Sequence, residues 1–204
     1  MILRMGYNQY MDKTGQYYRD NSQEFFDSTV NADVTPLYEH FLKYVPEGGS
    51  ILDLGCGSGR DTGEFKKMGF DVDAVDGSKE LCELASEYTG VPVRCMDFMD
   101  LSEIEKYDAI WACASLLHVP SKDLPVVLAK MRRSLKPQGI MYISFKFGDH
   151  EGERDGRFFT DMTSERFSNI IDGMPNLTKK EEWYSEDVRR GKNVRWFNVI
   201  LRKA

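Results

Sequence analysis

The sequence predicts one α/β domain in which a mostly parallel sheet carries helices on both faces, a doubly wound arrangement. Strand-like and helix-like segments alternate from residue 35 to residue 147. A helix-length connection between successive strands makes those strands parallel. The last two extended segments, around 177–185 and 194–203, are joined by a short turn-like stretch, so they are expected to be antiparallel neighbours.

Local signals set the individual elements of this alternation. A helix is expected from Thr35, with the threonine hydroxyl as N-cap and Pro36 at the first helical position. The apolar run SILDL (50–54) is typical of a buried strand. The remaining segments are a helix at 59–68, a strand at 71–76, a helix at 78–88, strands at 92–97 and 107–113, a helix at 121–135 and a strand at 139–147. A polar loop after Gly148 then leads to a helix near Thr163.

Composition and charge exclude several classes of function. The 204 residues suit a single domain, and 41% are hydrophobic. The net charge of −6 does not favour a nucleic acid as partner, although it leaves a local basic patch open. The longest apolar stretch, AIWACASLLHV, is too short to span a bilayer, and the N-terminus lacks the apolar segment of a secretory signal. We therefore expect a cytoplasmic protein without nucleic-acid or membrane partners, a monomer or a homodimer.

The four cysteines form no CxxC pair and have no neighbouring histidines. This pattern argues against a zinc site and against a disulfide framework. We expect reduced thiols and no metal.

The stretch ILDLGCGSGRD (51–61) places Gly55, Gly57 and Gly59 directly behind the predicted first strand. Ligands of doubly wound sheets bind beyond the carboxyl ends of the strands, and glycines allow a ligand to approach the backbone closely. Two phosphate-binding loops fail here, because Arg60 stands where a P-loop needs its second glycine and where the dinucleotide fingerprint needs its third. Asp76, at the end of the second strand, is placed to accept hydrogen bonds from ribose hydroxyls. The loop therefore suits an adenosine-type ligand without demanding a pyrophosphate.

The glycine stretch together with Asp76 resembles the class I S-adenosylmethionine-dependent methyltransferases, whose first motif is roughly [DE]xGxGxG. The resemblance covers residues 35 to about 147 most strongly. Three further stretches, FFDSTVNADVTPLYEHF, ACASLLHVP and DGRFFT, resemble a bacterial tellurite-resistance-like subgroup of these enzymes. The resemblance implies a seven-stranded Rossmann-like methyltransferase sheet with an antiparallel last strand. It also implies one methyltransferase domain: an N-terminal helical lid (1–34), a cofactor-binding core (35–147) and a C-terminal loop, helix and two strands (148–204).

The same resemblance implies a cofactor, S-adenosyl-L-methionine, and a set of residues that hold it. Gly55, Cys56 and Gly57 would lie under the methionine portion, with Asp53 ordering the loop or meeting the cofactor's amino group. The ribose and adenine contacts fall to the ends of the next three strands: Asp76, Gly77, Asp97, Phe98 and Cys113. Tyr18 and Thr29 of the lid are further candidates for cofactor contact. Cys56 and Cys113 are otherwise small packing residues.

The sequence offers fewer signals for the residues that bind the methyl acceptor than for those that bind the cofactor. His118, after the fourth strand, has an unperturbed pKa suited to a general base, but orienting the acceptor or capping the next helix is the favoured role. Lys146 and Arg157, with Arg154, lie past the fifth strand and can receive an anionic acceptor, the alternative being a solvated loop with internal ion pairs.

A small molecule or metalloid is the favoured acceptor. The amino-methylating nucleic-acid motif is absent after the fourth strand, where the chain reads ACAS, and no Pro-Cys dipeptide exists for C5-cytosine methylation. Two alternatives stay open: a catalytically silent cofactor-binding regulatory module, and a macromolecule methyltransferase that depends on a partner.

Overall fold

A twisted sheet runs through the centre of the computed structural model, which describes residues 12–189, 191 and 193–204. Within these residues the strands are β1 (Ser50–Leu54), β2 (Asp71–Asp76), β3 (Val93–Cys95), β4 (Tyr107–Ala112), β5 (Leu135–Lys146), β6 (Glu151–Arg154), β7 (Arg157–Thr160), β8 (Leu177–Glu186) and β9 (Arg195–Lys203). Seven of them form the main sheet, in the order β3-β2-β1-β4-β5-β9-β8, while β6 and β7 form a separate hairpin.

The direction of the strands confirms the predicted fold class. Strands β1 to β5 pair in parallel, whereas β9 runs antiparallel to both β5 and β8. The strand order reverses between β1 and β4, so the carboxyl ends of these two strands open the crevice in which such sheets bind ligands. The glycine stretch follows β1 directly and therefore lies at that crevice.

Helices cover both faces of the sheet. They are α1 (12–20, within the described residues), α2 (Ser22–Thr29), α3 (Thr35–Leu42), α4 (Arg60–Lys67), α5 (Lys79–Thr89), α6 (Leu124–Ser134) and α7 (Ser164–Ile171). Strand β4 shows how the two layers arise: Ile110 packs with the residues of α6 and α7, while its neighbour Trp111 packs with those of α3 and α4. Successive side chains of a strand point to opposite faces, so a continuous apolar strand is buried on both sides.

Two local predictions were wrong. Helix α3 does begin at Thr35, but its N-cap residue is Val34, and Asp33 accepts the hydrogen bond from the Thr35 backbone N–H at 3.0 Å. An aspartate two residues earlier thus supplies the capping oxygen that we assigned to the threonine. The predicted polar loop after Gly148 contains the β6–β7 hairpin, which turns at Asp155 and Gly156, both with positive φ.

No helix in the described part of the chain is long and apolar enough to cross a membrane.

Candidate functional site

The loop between β1 and α4, residues 55–59, is called the glycine loop, and its three glycines adopt left-handed backbone conformations. Gly55, Gly57 and Gly59 have φ angles of +81°, +55° and +76°, a conformation that glycine adopts without steric cost. The Gly55 N–H donates to the carbonyl of Val75 at 2.9 Å, which ties the loop to β2. A Cβ atom at Gly55 would lie 2.5 Å from the Cβ of Ser115. Glycine is therefore required at this position by both φ and space.

Asp76 ties the glycine loop to the loop that follows β2. One carboxylate oxygen accepts from the Gly57 N–H and the other from the Ser78 N–H, each at 2.9 Å. Burial raises the pKa of this carboxyl, and the backbone N–H groups of Ser78, Gly57 and Gly77 oppose that rise. An ionised carboxylate has about four acceptor positions, so Asp76 retains acceptor capacity toward the cavity that it lines.

A cavity of about 370 Å³, here called the loop cavity, lies over the glycine loop. Its lining comes from the ends of neighbouring strands and from helices α1 and α2: Tyr18, Phe25, Gly55, Gly57, Asp76, Gly77, Asp97, Phe98, Ala114, Ser115 and His118 are among its residues. Asp97 accepts from the Met99 N–H at 2.7 Å and thereby caps the short turn Phe98–Asp100 that presents the Phe98 ring.

A second cavity of about 550 Å³ adjoins the first and extends toward the β6–β7 hairpin. We call it the basic cavity, because Arg60, Lys146, Arg157 and Arg189 line it. The two cavities share six residues, Tyr18, Phe25, Gly55, Gly57, Ala114 and His118, and so meet at one boundary. Both volumes fall in the range of small-molecule sites, about 300–1,000 Å³.

The structure brings most of the predicted cofactor residues together around the loop cavity. Those that line it are Tyr18, Gly55, Gly57, Asp76, Gly77, Asp97 and Phe98. Cys56, Cys113 and Thr29 line the basic cavity instead. The Cys113 thiol lies 3.9 Å from the Ser144 hydroxyl, and burial raises its pKa to about 12. The Thr29 hydroxyl donates to the carbonyl of Phe25 at 2.7 Å.

The fourth strand contributes to the loop cavity one and two residues later than we predicted. Ala114 has a positive φ of 51°, and this left-handed turn brings Ala114 and Ser115, rather than Cys113, to the cavity wall. A non-glycine residue in this conformation is uncommon, and no sequence signal indicates it.

Asp53 lines neither cavity. Its side chain is buried beneath the loop and accepts a hydrogen bond from the Thr62 hydroxyl at 2.6 Å. Burial, followed by the nearby Asp61 carboxylate, raises the pKa of Asp53 to about 8. Of the two roles predicted for Asp53, its contacts fit the ordering of the loop.

Arg60, which excluded the two phosphate-binding loops, belongs to a buried ion-pair network. It donates to Asp61 through Nε at 2.7 Å and through Nη2 at 2.9 Å. Asp61 also accepts from the Tyr38 hydroxyl at 2.6 Å and the Trp111 indole at 2.7 Å. Burial opposes ionisation of Asp61, but Arg60 and these donors hold its pKa below the usual value. The pair fixes the start of α4, and sequence reasoning missed it.

His118 sits at the boundary of the two cavities and has both ring nitrogens engaged. Nδ1 lies 2.7 Å from the carbonyl of Phe158, and Nε2 lies 2.9 Å from the Tyr18 hydroxyl. A carbonyl only accepts, so Nδ1 carries the proton and Nε2 accepts from Tyr18. Burial lowers the pKa of His118 to about 3, which keeps the imidazole neutral. The helix-capping alternative fails, because the N-cap of α6 is Asp123.

The helices α1 and α2 cover both cavities from above. Tyr18 contacts Phe25 edge to face at 5.1 Å between ring centroids, and both rings reach the boundary of the cavities. A Cβ at Gly57 would lie 3.0 Å from the Phe25 ring, which shows how closely α2 approaches the loop. The predicted lid residues 1–11 lie outside the described residues.

Fold and site together define a Rossmann-like cofactor-binding domain, and comparison with known proteins agrees. A family model described as a methyltransferase domain matches residues 51–139. The putative methyltransferase YqeM of Bacillus subtilis is 29% identical over 138 residues, which are 62% of this chain and 54% of that protein. The chain thus spans just over half the length of that relative. A carboxy-S-adenosyl-L-methionine synthase of Haemophilus ducreyi is 28% identical over 94% of this chain and 80% of its own length.

Among solved structures, a Burkholderia thailandensis 1,6-didemethyltoxoflavin-N1-methyltransferase superimposes with a TM-score of 0.74 and 21% identity. The match covers 97% of this chain and 90% of that one, and that structure holds S-adenosylhomocysteine and 1,6-didemethyltoxoflavin. The chain is thus similar to S-adenosylmethionine-dependent methyltransferases: residues 51–139 match a methyltransferase domain, and the fold is that of a methyltransferase solved with S-adenosylhomocysteine. The tellurite-resistance-like subgroup stays a prediction.

Proposed function

We propose that this protein transfers a methyl group from S-adenosylmethionine to a nucleophilic atom of a small molecule. The observation that carries the proposal is the meeting of two cavities at one boundary, formed below by Gly55 and Gly57 and above by Tyr18 and His118. The loop cavity would hold the cofactor and the basic cavity the acceptor, so that the transferred group would pass at the boundary. The structural relative bound to 1,6-didemethyltoxoflavin supports a small acceptor.

The residues around the loop cavity fit the cofactor. Asp76 has acceptor capacity for the ribose hydroxyls, and the glycines lack the Cβ atoms that would block the methionine portion. Asp97 and Phe98 would contact the adenine. When bound, S-adenosylmethionine supplies a methyl group that its sulfonium makes electrophilic.

The chain itself then contributes position and exclusion of water. Holding a nucleophile in line with its target can remove roughly 7–11 kcal/mol of a barrier. Tyr18 and Phe25 close the boundary from above, and the neutral His118 holds the Tyr18 hydroxyl in place. In this arrangement Nε2 of His118 is occupied, so an acceptor proton would reach it only after Tyr18 moves. The geometry therefore supports an orienting role for His118 more than that of a general base.

Two measurements test the proposal. Calorimetry should show binding of S-adenosylhomocysteine and none of NAD, and tight NAD binding alone would overturn it. Incubation with methyl-labelled cofactor and a metabolite extract should label a low-molecular-weight product, with Asp76→Ala as the inactive control. Binding without any labelled product would favour the silent regulatory module, whereas label confined to RNA or protein fractions would favour a macromolecular acceptor.

A second candidate follows from the relatives named carboxy-S-adenosyl-L-methionine synthases, which match nearly the whole chain. In that case the cofactor would itself be modified, and the basic cavity would face a carboxylate. Mass spectrometry of the cofactor that copurifies with the protein separates the two candidates. A carboxylated cofactor supports the second, and unmodified S-adenosylmethionine or S-adenosylhomocysteine supports the first.

A further inference from the structure

The four cations of the basic cavity fall into two kinds. Arg60 is paired with Asp61, and Arg189 donates to Asp187 through Nε at 2.9 Å and Nη2 at 2.7 Å. These two arginines are neutralised by the chain itself. Lys146 and Arg157 have no carboxylate partner within the described residues.

Lys146 and Arg157 converge on one aromatic ring. Lys146 Nζ lies 3.9 Å and the Arg157 guanidinium 5.1 Å from the centroid of Phe159. Arg157 also contacts the rings of Tyr17 and Tyr18, at 4.2 and 5.8 Å, and its Nη1 donates to the Tyr18 hydroxyl at 3.5 Å. Cation–π contacts of this kind position a cation without neutralising it. Arg157 Nε is buried and has no hydrogen-bond partner in the described structure.

Arg154, an arginine of the same hairpin, is neutralised by an ion pair within the chain. Arg154, also within 4.7 Å of the Phe159 centroid, donates to both carboxylate oxygens of Asp161, at 3.1 and 2.9 Å. Part of the predicted internal ion pairing is thus present. This ion pairing does not include Lys146 and Arg157, the two cations that line the cavity without a carboxylate partner.

The electrostatic consequence is visible at Lys146. Burial, followed by the positive charges of Arg154 and Arg157, lowers the pKa of Lys146 to about 8, against an opposing effect of Asp161. The carboxylates of Asp155 and Glu186 also line the cavity, but their side chains are exposed. The interior of the cavity therefore presents uncompensated positive charge, whose burial is costly unless an anion accompanies it.

We propose that Lys146 and Arg157 form a binding site for an anionic group, a carboxylate or a phosphate, on the methyl acceptor. The proposal rests on the function proposed above and narrows its substrate class. Arg157 offers a planar fork of donors that matches either anion, and Lys146 adds a compact charge. The aromatic rings of Phe159 and Tyr18 beside them suit an acceptor whose anion is attached to an apolar or aromatic body.

The test uses three probes of one shape, benzoate, phenyl phosphate and the neutral benzamide, titrated calorimetrically into the protein with and without S-adenosylhomocysteine. At pH 7 we expect at least one anion to bind about ten times more tightly than benzamide. The tighter of the two anions identifies the group. Equal affinities of all three probes would overturn the proposal.

Variants locate the site. Lys146→Met and Arg157→Met keep the long side chains on Phe159 but remove the charge, and each should weaken anion binding about ten-fold while leaving benzamide unchanged. Lys180→Met and Arg133→Met remove the same charges from exposed positions and should bind like the wild type. Anion binding unchanged by the first pair would also overturn the proposal, with melting temperatures confirming that the variants fold.

The titration separates the two proposals. If the protein does not bind S-adenosylhomocysteine but still prefers benzoate to benzamide, only the proposed function is refuted, because the probes need no cofactor.

Since anion binding requires protonated Lys146, anion affinity should fall as the pH rises through about 8. The Arg157→Met variant should keep a pH dependence whose midpoint moves to higher pH, because one of the charges that lower the pKa of Lys146 is gone, and Lys146→Met should lose the pH dependence.

Discussion

The two cavities differ in how the chain builds them. Beneath the helices α1 and α2, the loop cavity is made of short stretches that each follow a strand, and the carboxylates of Asp76 and Asp97 there accept hydrogen bonds from backbone N–H groups. The basic cavity is assembled from segments far apart in the chain, from Tyr18 to Asn198, and it contains unpaired charge. A common cofactor needs one fixed surface, whereas an acceptor site varies through loops and termini on that scaffold. The following predictions test this difference.

The largest effect is expected at Asp76. Replacement by alanine removes the acceptor of two backbone N–H groups as well as the proposed ribose contact, and each orphaned donor costs roughly 1–3 kcal/mol. We expect Asp76→Ala to weaken S-adenosylhomocysteine binding by at least about 100-fold in calorimetry. Benzoate binding to the basic cavity should change little.

Asp73 provides the matched control, since it lies on the same strand and lines neither cavity. It accepts from Lys106 and Tyr107 at 2.5 and 2.7 Å. Asp73→Ala should bind the cofactor normally. A similar loss in both variants would show that Asp76 acts only through stability.

Gly55 tests whether the glycine loop is required by shape. An alanine there would have a positive φ and a Cβ 2.5 Å from that of Ser115. Strain and overpacking each cost about 1–3 kcal/mol, so Gly55→Ala should lower the free energy of unfolding by about 3 kcal/mol in urea titrations. Adding Ser115→Gly should recover part of this loss. Gly77→Ala, where an added Cβ meets nothing within 4 Å, should be close to neutral.

The place of Gly55, Gly57 and Asp76 at the site can be predicted from the sequence. The strand, turn and helix signals around them are contiguous, and in a parallel sheet the strand ends meet at one edge. The parts that escaped depend on tertiary contacts or rare backbone states. Ala114 turns left-handed without any local signal. The β6–β7 hairpin, by contrast, has a local signal that the prediction of a polar loop passed over, because Asp155 and Gly156 form the Asp-Gly pair typical of a two-residue hairpin turn with positive φ. Likewise, nothing in the sequence distinguishes Arg154, which donates to Asp161, from Arg157, whose Nε has no hydrogen-bond partner in the described structure.

A smaller effect is expected from His118 as the pH falls. Its pKa is lowered by burial from 6.5 to about 3 in the folded protein, so between these values the unfolded chain binds more protons than the folded one. The contribution of His118 to stability is therefore complete above about pH 6.5 and is lost as the pH falls toward 3. At pH 5 the loss should be about 2 kcal/mol.

Unfolding free energies at pH 5 and pH 8 measure this loss in the wild type and in His118→Asn. The difference between the two pH values should be smaller in the variant by that amount. His150→Asn removes an exposed histidine from the loop before the hairpin and should keep the wild-type difference. Identical pH dependence in all three proteins would contradict the buried, neutral His118.

The smallest effect concerns the Tyr18 hydroxyl, which connects α1 to His118 at the boundary of the two cavities. Tyr18→Phe removes the donor to His118 Nε2 at 2.9 Å and a long hydrogen bond from Arg157 Nη1 at 3.5 Å, but keeps the ring against Phe25. A lost hydrogen bond of this kind costs about 1 kcal/mol, so S-adenosylhomocysteine affinity should fall roughly five-fold. The backbone amides of α1 should also exchange faster with solvent. Tyr17→Phe keeps the ring contact with Arg157 and should leave both measurements unchanged. If Tyr18→Phe behaves like Tyr17→Phe, the hydroxyl does not hold α1 over the boundary, and the closure of the two cavities must come from the Tyr18 and Phe25 rings alone.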